Sequence, residues 1–255
     1  MSSPIWTPAA LSSEVRRYEG HGWRIVEAQH RVSTLKLVHT LAEQRTLEDL
    51  IEETKPAIPP ECRHLDYLLA TPFRYGADYP KGSRFRRAGR TPGVFYASEA
   101  SETAIAEMAF LRVLFFAESP ATPWPGEVAE YTAFSVAIAT ERALDLTEPL
   151  LAADHGLWTD RIRYEPCQAL AEAARGASIA MIRYESVRDP AEGRNLALLV
   201  CAAFAEPRPI ERRTWRMRLG PSGVQAICEF PRQGLEFGRE TFAADPRVAG
   251  MRWDR

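Results

Sequence analysis

The sequence predicts a mixed α+β fold with a curved, largely antiparallel sheet and flanking helices. Strand-like apolar segments are separated by few helical segments. The last two, at residues 214–219 and 224–230, are joined by a short turn that is typical of a hairpin. With 255 residues, of which 45% are hydrophobic, the chain can bury a full core. These observations favour one large domain, or one domain with an extension.

The first 70 residues are predicted to form a largely helical region that packs on the core. Residues 23–28 are a short strand candidate. Thr46 predicts the start of a helix that a proline-rich stretch ends. A further helical turn or two is predicted over residues 61–69.

The stretch from residue 72 to residue 116 joins an arginine-rich turn region, a core strand at residues 93–97 and a long helix. Ser98 or Ser101 is the expected N-cap, because both hydroxyl side chains precede the apolar part of the helix. The helix is predicted to continue to about residue 116.

Five apolar residues share one face of this helix at roughly 100° per residue, which predicts the buried face: Ala104, Met108, Leu111, Leu114 and Phe115. Glu107 falls within this face, whereas Glu102 lies on the opposite side. A buried carboxylate needs cations, hydrogen-bond donors or a cleft. Two interpretations of Glu107 are open: a structural ion pair with an arginine of the turn region, or a catalytic acid.

The remainder of the chain supplies the other strands and another helix. Residues 166–175 are predicted to be helical, since a proline lies in the first turn and Gly176 follows the end. The other predicted strands cover residues 131–138, 143–146, 179–184 and 196–204. After Pro231 the composition becomes polar, and residues 231–255 are predicted to form a C-terminal tail.

Composition and motifs exclude several classes of protein. A net charge of −2 argues against a general nucleic-acid binder. No G-x-G-x-x-G or G-x-x-x-x-G-K-[ST] motif signals a Rossmann-type fold or a P-loop. The five histidines and four cysteines lack metal-ligand spacing, so we expect no metal and interpret the cysteines as reduced thiols. Without an export signal or a run of about 20 apolar residues, we expect a soluble, cytoplasmic protein.

The turn region contains five arginines that make it a candidate anion site: Arg74, Arg84, Arg86, Arg87 and Arg90. The planar guanidinium fork suits phosphate or carboxylate groups. For Arg87 and Arg90, a solvated basic turn is the preferred interpretation.

Three motifs follow one another in the chain: FRYGADYPKGSRFRRAG, GVFYASEASETAIAEM and IRYESVRDPAEGRN with LALL. In these motifs the chain resembles the RES-domain family, named for an arginine, a glutamate and a serine, over residues 72–204. Members of this family are toxins of bacterial type II toxin–antitoxin pairs. Their fold resembles that of ADP-ribosyltransferases, and they act on NAD. The resemblance implies an NAD-binding core over residues 71–230.

The resemblance also assigns seven residues to the NAD pocket: Arg74, Tyr75, Arg84, Tyr96, Glu107, Ser186 and Asn195. An insertion separates Arg74 from Arg84 relative to the compact R-Y-G-G-R-W run of shorter members. Both Arg84 and Arg86 are therefore candidates for the second arginine. Ser186 ends an apolar strand, where a serine is by default a turn residue, and only the resemblance gives it a role in the pocket.

The implied chemistry agrees with the residues. Cleavage of the nicotinamide–ribose bond builds positive charge on the ribose carbon, which the Glu107 carboxylate would stabilise. One or two arginines would clamp the pyrophosphate, and Tyr75 or Tyr96 would stack on nicotinamide or orient it.

The resemblance implies one of two fates for the ADP-ribose, and a protein partner. The first fate is transfer to a protein, which is phosphoribosyl pyrophosphate synthetase in some members; the second is capture by water or phosphate. The implied partner is a cognate antitoxin that covers the NAD site. The alternative is a non-enzymatic interaction protein whose arginine loop binds an acidic partner or nucleic acid, with salt-dependent affinity.

Overall fold

The computed structural model describes residues 6–27, 34, 37–76, 80 and 82–254. Within this part of the chain, eight strands form one sheet in the order β1-β2-β5-β4-β3-β6-β7-β8. The strands are β1 (Arg16–Glu27), β2 (Phe95–Ser98), β3 (Ala129–Asp145), β4 (Met181–Glu185), β5 (Arg194–Leu198), β6 (Glu211–Gly220), β7 (Gly223–Cys228) and β8 (Gln233–Gly238). The helices are α1 (Pro8–Ser13), α2 (Leu41–Glu53), α3 (Tyr67–Arg74), α4 (Ser101–Glu118), α5 (Pro149–Ala152), α6 (His155–Trp158), α7 (Glu165–Gly176) and α8 (Pro246–Ala249).

The sheet is curved because β1 pairs with both β2 and β3. These pairings close β1, β2, β5, β4 and β3 into a ring, from which β6, β7 and β8 continue as a meander. The pairing of β3 with β4 is parallel, and the other named pairings are antiparallel. The predicted α+β class with a mostly antiparallel sheet and flanking helices is confirmed.

The N-terminal region contributes a central strand as well as helices. β1 spans twelve residues rather than the short predicted segment, because it pairs with β3 along nearly its whole length. Helix α2 begins at Leu41, before the predicted start at Thr46, because Thr40 and Glu43 form a capping box. Helix α3 continues through Pro72 to Arg74, whereas the prediction ended the helical segment at residue 69.

Helix α4 covers the predicted residues but begins differently. It starts at Ser101, and its N-cap is Ala100, which has no capping side chain. The prediction of Ser98 or Ser101 as the N-cap is therefore wrong. Ser98 instead ends β2, where its backbone belongs to the sheet.

The buried face of α4 agrees with the prediction at three of the five predicted residues and differs at two. Leu111 and Phe115 are 53% and 50% exposed. The buried residues of α4 in the core are Ala104, Ile105, Ala106, Ala109, Phe110, Val113 and Phe116, and the partly buried Met108 and Leu114 pack against them. Because α4 is apolar around most of its circumference, helical periodicity does not single out one face. The true face packs against Trp215, Met217 and neighbouring residues of β6 and β7.

The second half of the chain follows the predicted order with changed lengths. β3 is one strand of 17 residues where two were predicted. β5 ends at Leu198, and a 3-10 turn follows where the prediction continued the strand. The hairpin of β6 and β7 is confirmed.

The residues after Pro231 contain regular structure. β8 pairs with β7, and the ring of Phe242 packs edge-on against Phe110 of α4 at 5.6 Å. The polar composition of this segment gave no sign of these elements in the sequence, because their stability depends on long-range pairing and packing. No described helix has the length and apolar character needed to cross a bilayer.

The structure pairs two of the four cysteines. Cys62 and Cys201 form a disulfide between positions 139 residues apart, whereas Cys167 and Cys228 are buried free thiols. The prediction of reduced thiols is therefore wrong for Cys62 and Cys201. A pairing across such a separation depends on the fold and leaves no local pattern in the sequence.

Candidate functional site

Strand register places a row of polar side chains on one face of the sheet. Ser98 of β2 lies opposite Asn195 of β5, which in turn lies opposite Tyr184 of β4. Directly opposite residues project to the same face, so these three side chains are neighbours. Each is at most 7% exposed. Buried polar groups need hydrogen-bond partners, and a side chain of helix α4 is the partner of this row.

Glu107 faces the row from helix α4 and is half-buried. Asn195 Nδ2 donates a hydrogen bond to Oε1 of Glu107 over 2.6 Å. Ser186 Oγ donates to the same oxygen over 2.7 Å. The structure thus joins Glu107, Ser186 and Asn195, three of the predicted site residues, by direct hydrogen bonds.

The two carboxylate oxygens of Glu107 are in different environments. Oε1 accepts both hydrogen bonds, whereas Oε2 accepts none from the described residues. No described arginine lies within ion-pair distance of Glu107, so the interpretation as a structural ion pair is not supported there. Neutral donors therefore hold Glu107 at one oxygen, and the described residues leave its other oxygen without a donor.

Ser186 is both a turn residue and a donor to Glu107. Its Oγ accepts hydrogen bonds from the backbone nitrogens of Arg188 (3.3 Å) and Asp189 (3.1 Å). The Asp189 carboxylate in turn accepts a hydrogen bond from Thr103 Oγ1 of α4 over 2.7 Å. The loop that carries Ser186 is therefore fixed to the helix that carries Glu107.

Tyr184 is a site residue that the sequence analysis did not single out. Its ring lies edge-on to Phe85 with centroids 4.8 Å apart. Burial raises the pKa of Tyr184 well above its usual value, and the negative charge of Glu107 adds to this shift. Its hydroxyl therefore stays protonated. The available signal was its place in the motif IRYESVRDPAEGRN.

Tyr96 is bound to the turn region. Its hydroxyl accepts a hydrogen bond from the backbone nitrogen of Phe85 over 3.0 Å and lies 2.7 Å from Ser83 Oγ. Desolvation raises the pKa of Tyr96. Phe95, its neighbour on β2, packs against Phe134 and Phe204 on the other face of the strand.

The two candidates for the second arginine are both buried, at 8% exposure for Arg84 and 6% for Arg86. Arg84 donates to the carbonyl of Trp158 over 2.6 Å and lies over the ring of Tyr164 at 4.7 Å. Arg86 donates to the carbonyls of Tyr75 and Gly76. Arg84 thus faces the side of the sheet that bears Tyr96, and Arg86 braces the preceding loop.

Arg74 makes its contacts with the N-terminal region. Its guanidinium lies 2.6 Å from the carboxylate of Glu52 on α2 and donates to the carbonyl of Pro56 over 2.7 Å. The structure shows no direct contact between Arg74 and Glu107. Arg87 and Arg90 both pair with Glu172 of α7, and the Arg90 side chain remains 70% exposed, as a solvated basic turn would have it.

An open cavity of about 350 Å³ lies beside Ser186. Its lining includes His155, Arg161, Arg188 and Thr241. A larger groove of about 790 Å³ lies on the outer face of β6 and β7, and none of its described lining residues belongs to the predicted site. Among the described residues, no group of three or more His, Cys, Asp or Glu side chains is arranged to hold a metal ion.

Comparison with known proteins places the chain in a family. Among curated proteins, none matches the sequence. One similar solved structure is that of the MbcT-MbcA toxin–antitoxin complex of M. tuberculosis, with 14% identity and a TM-score of 0.45. That match covers 93% of this chain and 95% of the other. The RES domain family model matches residues 58–220, more than half of the sequence, and the chain therefore belongs to the RES-domain family.

Proposed function

We propose that this protein is the toxin of a toxin–antitoxin pair and that it consumes NAD by cleaving the bond between nicotinamide and ribose. Membership of the RES-domain family supports this proposal. So does the resemblance of its three motifs to those of NAD-consuming toxins with an ADP-ribosyltransferase-like fold. The protein would act in the cytoplasm, where NAD is its substrate, and would need no metal.

The observation that carries the proposal is the asymmetric carboxylate of Glu107. Two neutral donors fix Oε1, whereas Oε2, which accepts no hydrogen bond from a described residue, would face the substrate. A preorganised carboxylate of this kind stabilises positive charge that develops in a transition state. Since its donors are already in place, little reorganisation is needed when that charge appears.

In the proposed reaction, the bond between ribose C1′ and the nicotinamide nitrogen breaks. The electron pair leaves with the ring, so that neutral nicotinamide departs and C1′ becomes cationic. Oε2 of Glu107 would face this carbon or accept a hydrogen bond from a ribose hydroxyl. Water, phosphate or a nucleophile on a protein then bonds to C1′ and gives up a proton.

The other predicted residues would bind the rest of NAD. Arg84, with Arg86 as its neighbour, and Arg74 would clamp the pyrophosphate, and Tyr75 or Tyr96 would contact nicotinamide. Ser186 and Asn195 hold Glu107. Arg74 and Arg86 are occupied by internal partners in this conformation, so that NAD binding would need those contacts to rearrange.

The test is nicotinamide release from NAD by the purified protein, freed of antitoxin. Glu107→Gln keeps an acceptor oxygen for Ser186 and Asn195 but removes the charge. We expect it to lose at least about 100-fold in kcat, the usual effect of removing an electrostatic stabiliser. Glu102→Gln on the same helix is the matched control and should keep activity. Equal activity of Glu107→Gln and wild type would refute the role of Glu107.

The acceptor of ADP-ribose is tested in the same assay. Phosphate-dependent release would indicate phosphorolysis, and release without phosphate would indicate hydrolysis. Labelling of a protein, with phosphoribosyl pyrophosphate synthetase as the first candidate, would indicate transfer. The absence of release even with cell extract would favour the alternative, an interaction protein that binds an acidic partner.

A further inference from the structure

Ser98 is connected to Glu107 by two successive hydrogen bonds that pass through the side chain of Asn195. Ser98 Oγ donates to Oδ1 of Asn195 over 2.6 Å, and Asn195 Nδ2 donates to Glu107 over 2.6 Å. Ser98 and Asn195 are each 3% exposed. The three residues form one chain of hydrogen bonds that ends on the carboxylate.

The chemistry of the carboxamide explains why this chain needs a donor at its far end. An Asn side chain presents an acceptor oxygen and a donor nitrogen, and a carboxylate only accepts. Asn195 must therefore turn its nitrogen to Glu107, which directs its oxygen to the sheet. There Ser98 supplies the donor that a buried oxygen requires. Bonding at the oxygen also polarises the amide and strengthens its N–H donor.

The position of Ser98 makes this arrangement rigid. Its backbone pairs with Trp23 of β1 on one side and with Asn195 of β5 on the other. Helix α4 begins three residues later, so that Ser98 and Glu107 belong to one continuous segment. A change of the Ser98 side chain to alanine leaves these backbone contacts in place.

We propose that Ser98 is a positioning residue for Glu107 and that it acts through Asn195. The proposal rests on the proposed function, because Glu107 is taken there as the group that stabilises the ribose cation. Ser98 itself does not touch the substrate. The Ser98 hydroxyl holds the side-chain amide of Asn195 in place, and the N–H of that amide holds the carboxylate of Glu107 in place.

The kinetic test is a double-mutant cycle on nicotinamide release. Ser98→Ala should lower kcat about tenfold, the upper range for one hydrogen bond, with KM changed less than about twofold. In the Asn195→Ala background, Ser98→Ala should cause no further loss, since its only route to Glu107 is gone. Ser135→Ala, which changes a buried serine of β3, is the matched control and should retain activity. An unchanged kcat in Ser98→Ala would overturn the proposal. So would a decrease in kcat in the double variant that equals the product of the decreases in the two single variants.

A second measurement does not depend on activity with NAD. The side-chain amide protons of Asn195, identified by their absence in Asn195→Ala, should exchange slowly with solvent in the wild type. Ser98→Ala should speed their exchange at least about tenfold, because the amide loses one of its two anchors. Unchanged exchange would show that Ser98 does not hold the amide. An inactive wild type with this exchange response would instead refute the reaction while keeping the positioning contact.

Discussion

Arg188 and Asp245 form a buried ion pair, with 2.5 Å between Nη1 and Oδ2 and side-chain exposures of 4% and 1%. Arg188 lies two residues after Ser186, and Asp245 lies beyond the RES domain match that ends at residue 220. The Arg188 guanidinium also lies 3.9 Å from the ring centroid of Phe110 on α4. The C-terminal segment therefore helps to hold the loop that carries Ser186.

Breaking this pair should strongly destabilise the protein. Asp245→Asn keeps a side chain that can cap α8 but leaves the charge of Arg188 buried without its counter-ion. The expected loss is about 3–5 kcal/mol in the free energy of unfolding, measured by urea denaturation. Asp254→Asn, at an exposed carboxylate, is the control. A loss below about 0.5 kcal/mol would mean that Arg188 finds water or another acceptor.

Stability should fall in acid because of Asp160. Backbone nitrogens of Ile162 and Arg163 donate to its carboxylate, which lowers its pKa to about 2. The usual value is higher, so the unfolded chain binds the proton first as pH falls. The stabilisation is complete above about pH 4 and is lost progressively between pH 4 and 2. The stability difference between wild type and Asp160→Asn, measured by urea denaturation, should shrink over this range. A constant difference would contradict the assignment.

Much of the fold could be predicted because its signals are local. The hairpin of β6 and β7 has alternating apolar residues around a glycine turn, and α7 has a proline at its start. The buried face of α4 was predicted only in part, because a nearly uniform apolar helix has no distinct face. Strand β8 and the segment after it were missed because their packing partners lie far away in the sequence.

The candidate site was only partly accessible to sequence reasoning. Resemblance to a family supplied Glu107, Ser186 and Asn195, but their contacts span 79 and 88 positions and depend on strand register. Ser98 and Tyr184 enter the site only because both lie opposite Asn195. The partner of Arg188 lies in a segment whose composition suggested a tail.

Gly193 should tolerate no side chain. A Cβ atom there would lie 2.1 Å from Thr103 Oγ1 and 2.6 Å from Asp189 Oδ2. Gly193→Ala would therefore separate the two groups that tie the Ser186 loop to α4. We expect a loss of about 1–3 kcal/mol in stability, together with lower activity. Gly126→Ala, where a Cβ meets no atom within 4 Å, is the control for thermal denaturation and nicotinamide release. Equal stability and equal activity of Gly193→Ala and Gly126→Ala would show that the Ser186 loop moves to accommodate the added Cβ atom.

The disulfide should stabilise the protein measurably. Cys62 and Cys201 connect the turn before α3 to the turn after β5, and the bond restricts a long loop in the unfolded chain. Reduction should cost about 2–5 kcal/mol and lower the melting temperature. The double variant Cys62→Ser, Cys201→Ser should melt at the same temperature with and without reductant. Four free thiols in the purified wild type would contradict the pairing.

Tyr96→Phe separates two roles for Tyr96. If its ring only stacks on nicotinamide, one of the roles that the family resemblance implies for Tyr75 or Tyr96, Phe keeps the ring and the KM for NAD stays unchanged. The structure instead indicates that its hydroxyl holds the turn, because the nitrogen of fully buried Phe85 donates to it. Losing that acceptor should cost about 1–3 kcal/mol in stability. Since Phe85 lies between Arg84 and Arg86, the loosened turn should also raise the KM for NAD, whereas the exposed control Tyr67→Phe should change neither quantity. If Tyr96→Phe keeps both its stability and its KM for NAD, the ring of Tyr96 only stacks on nicotinamide and its hydroxyl does not hold the turn.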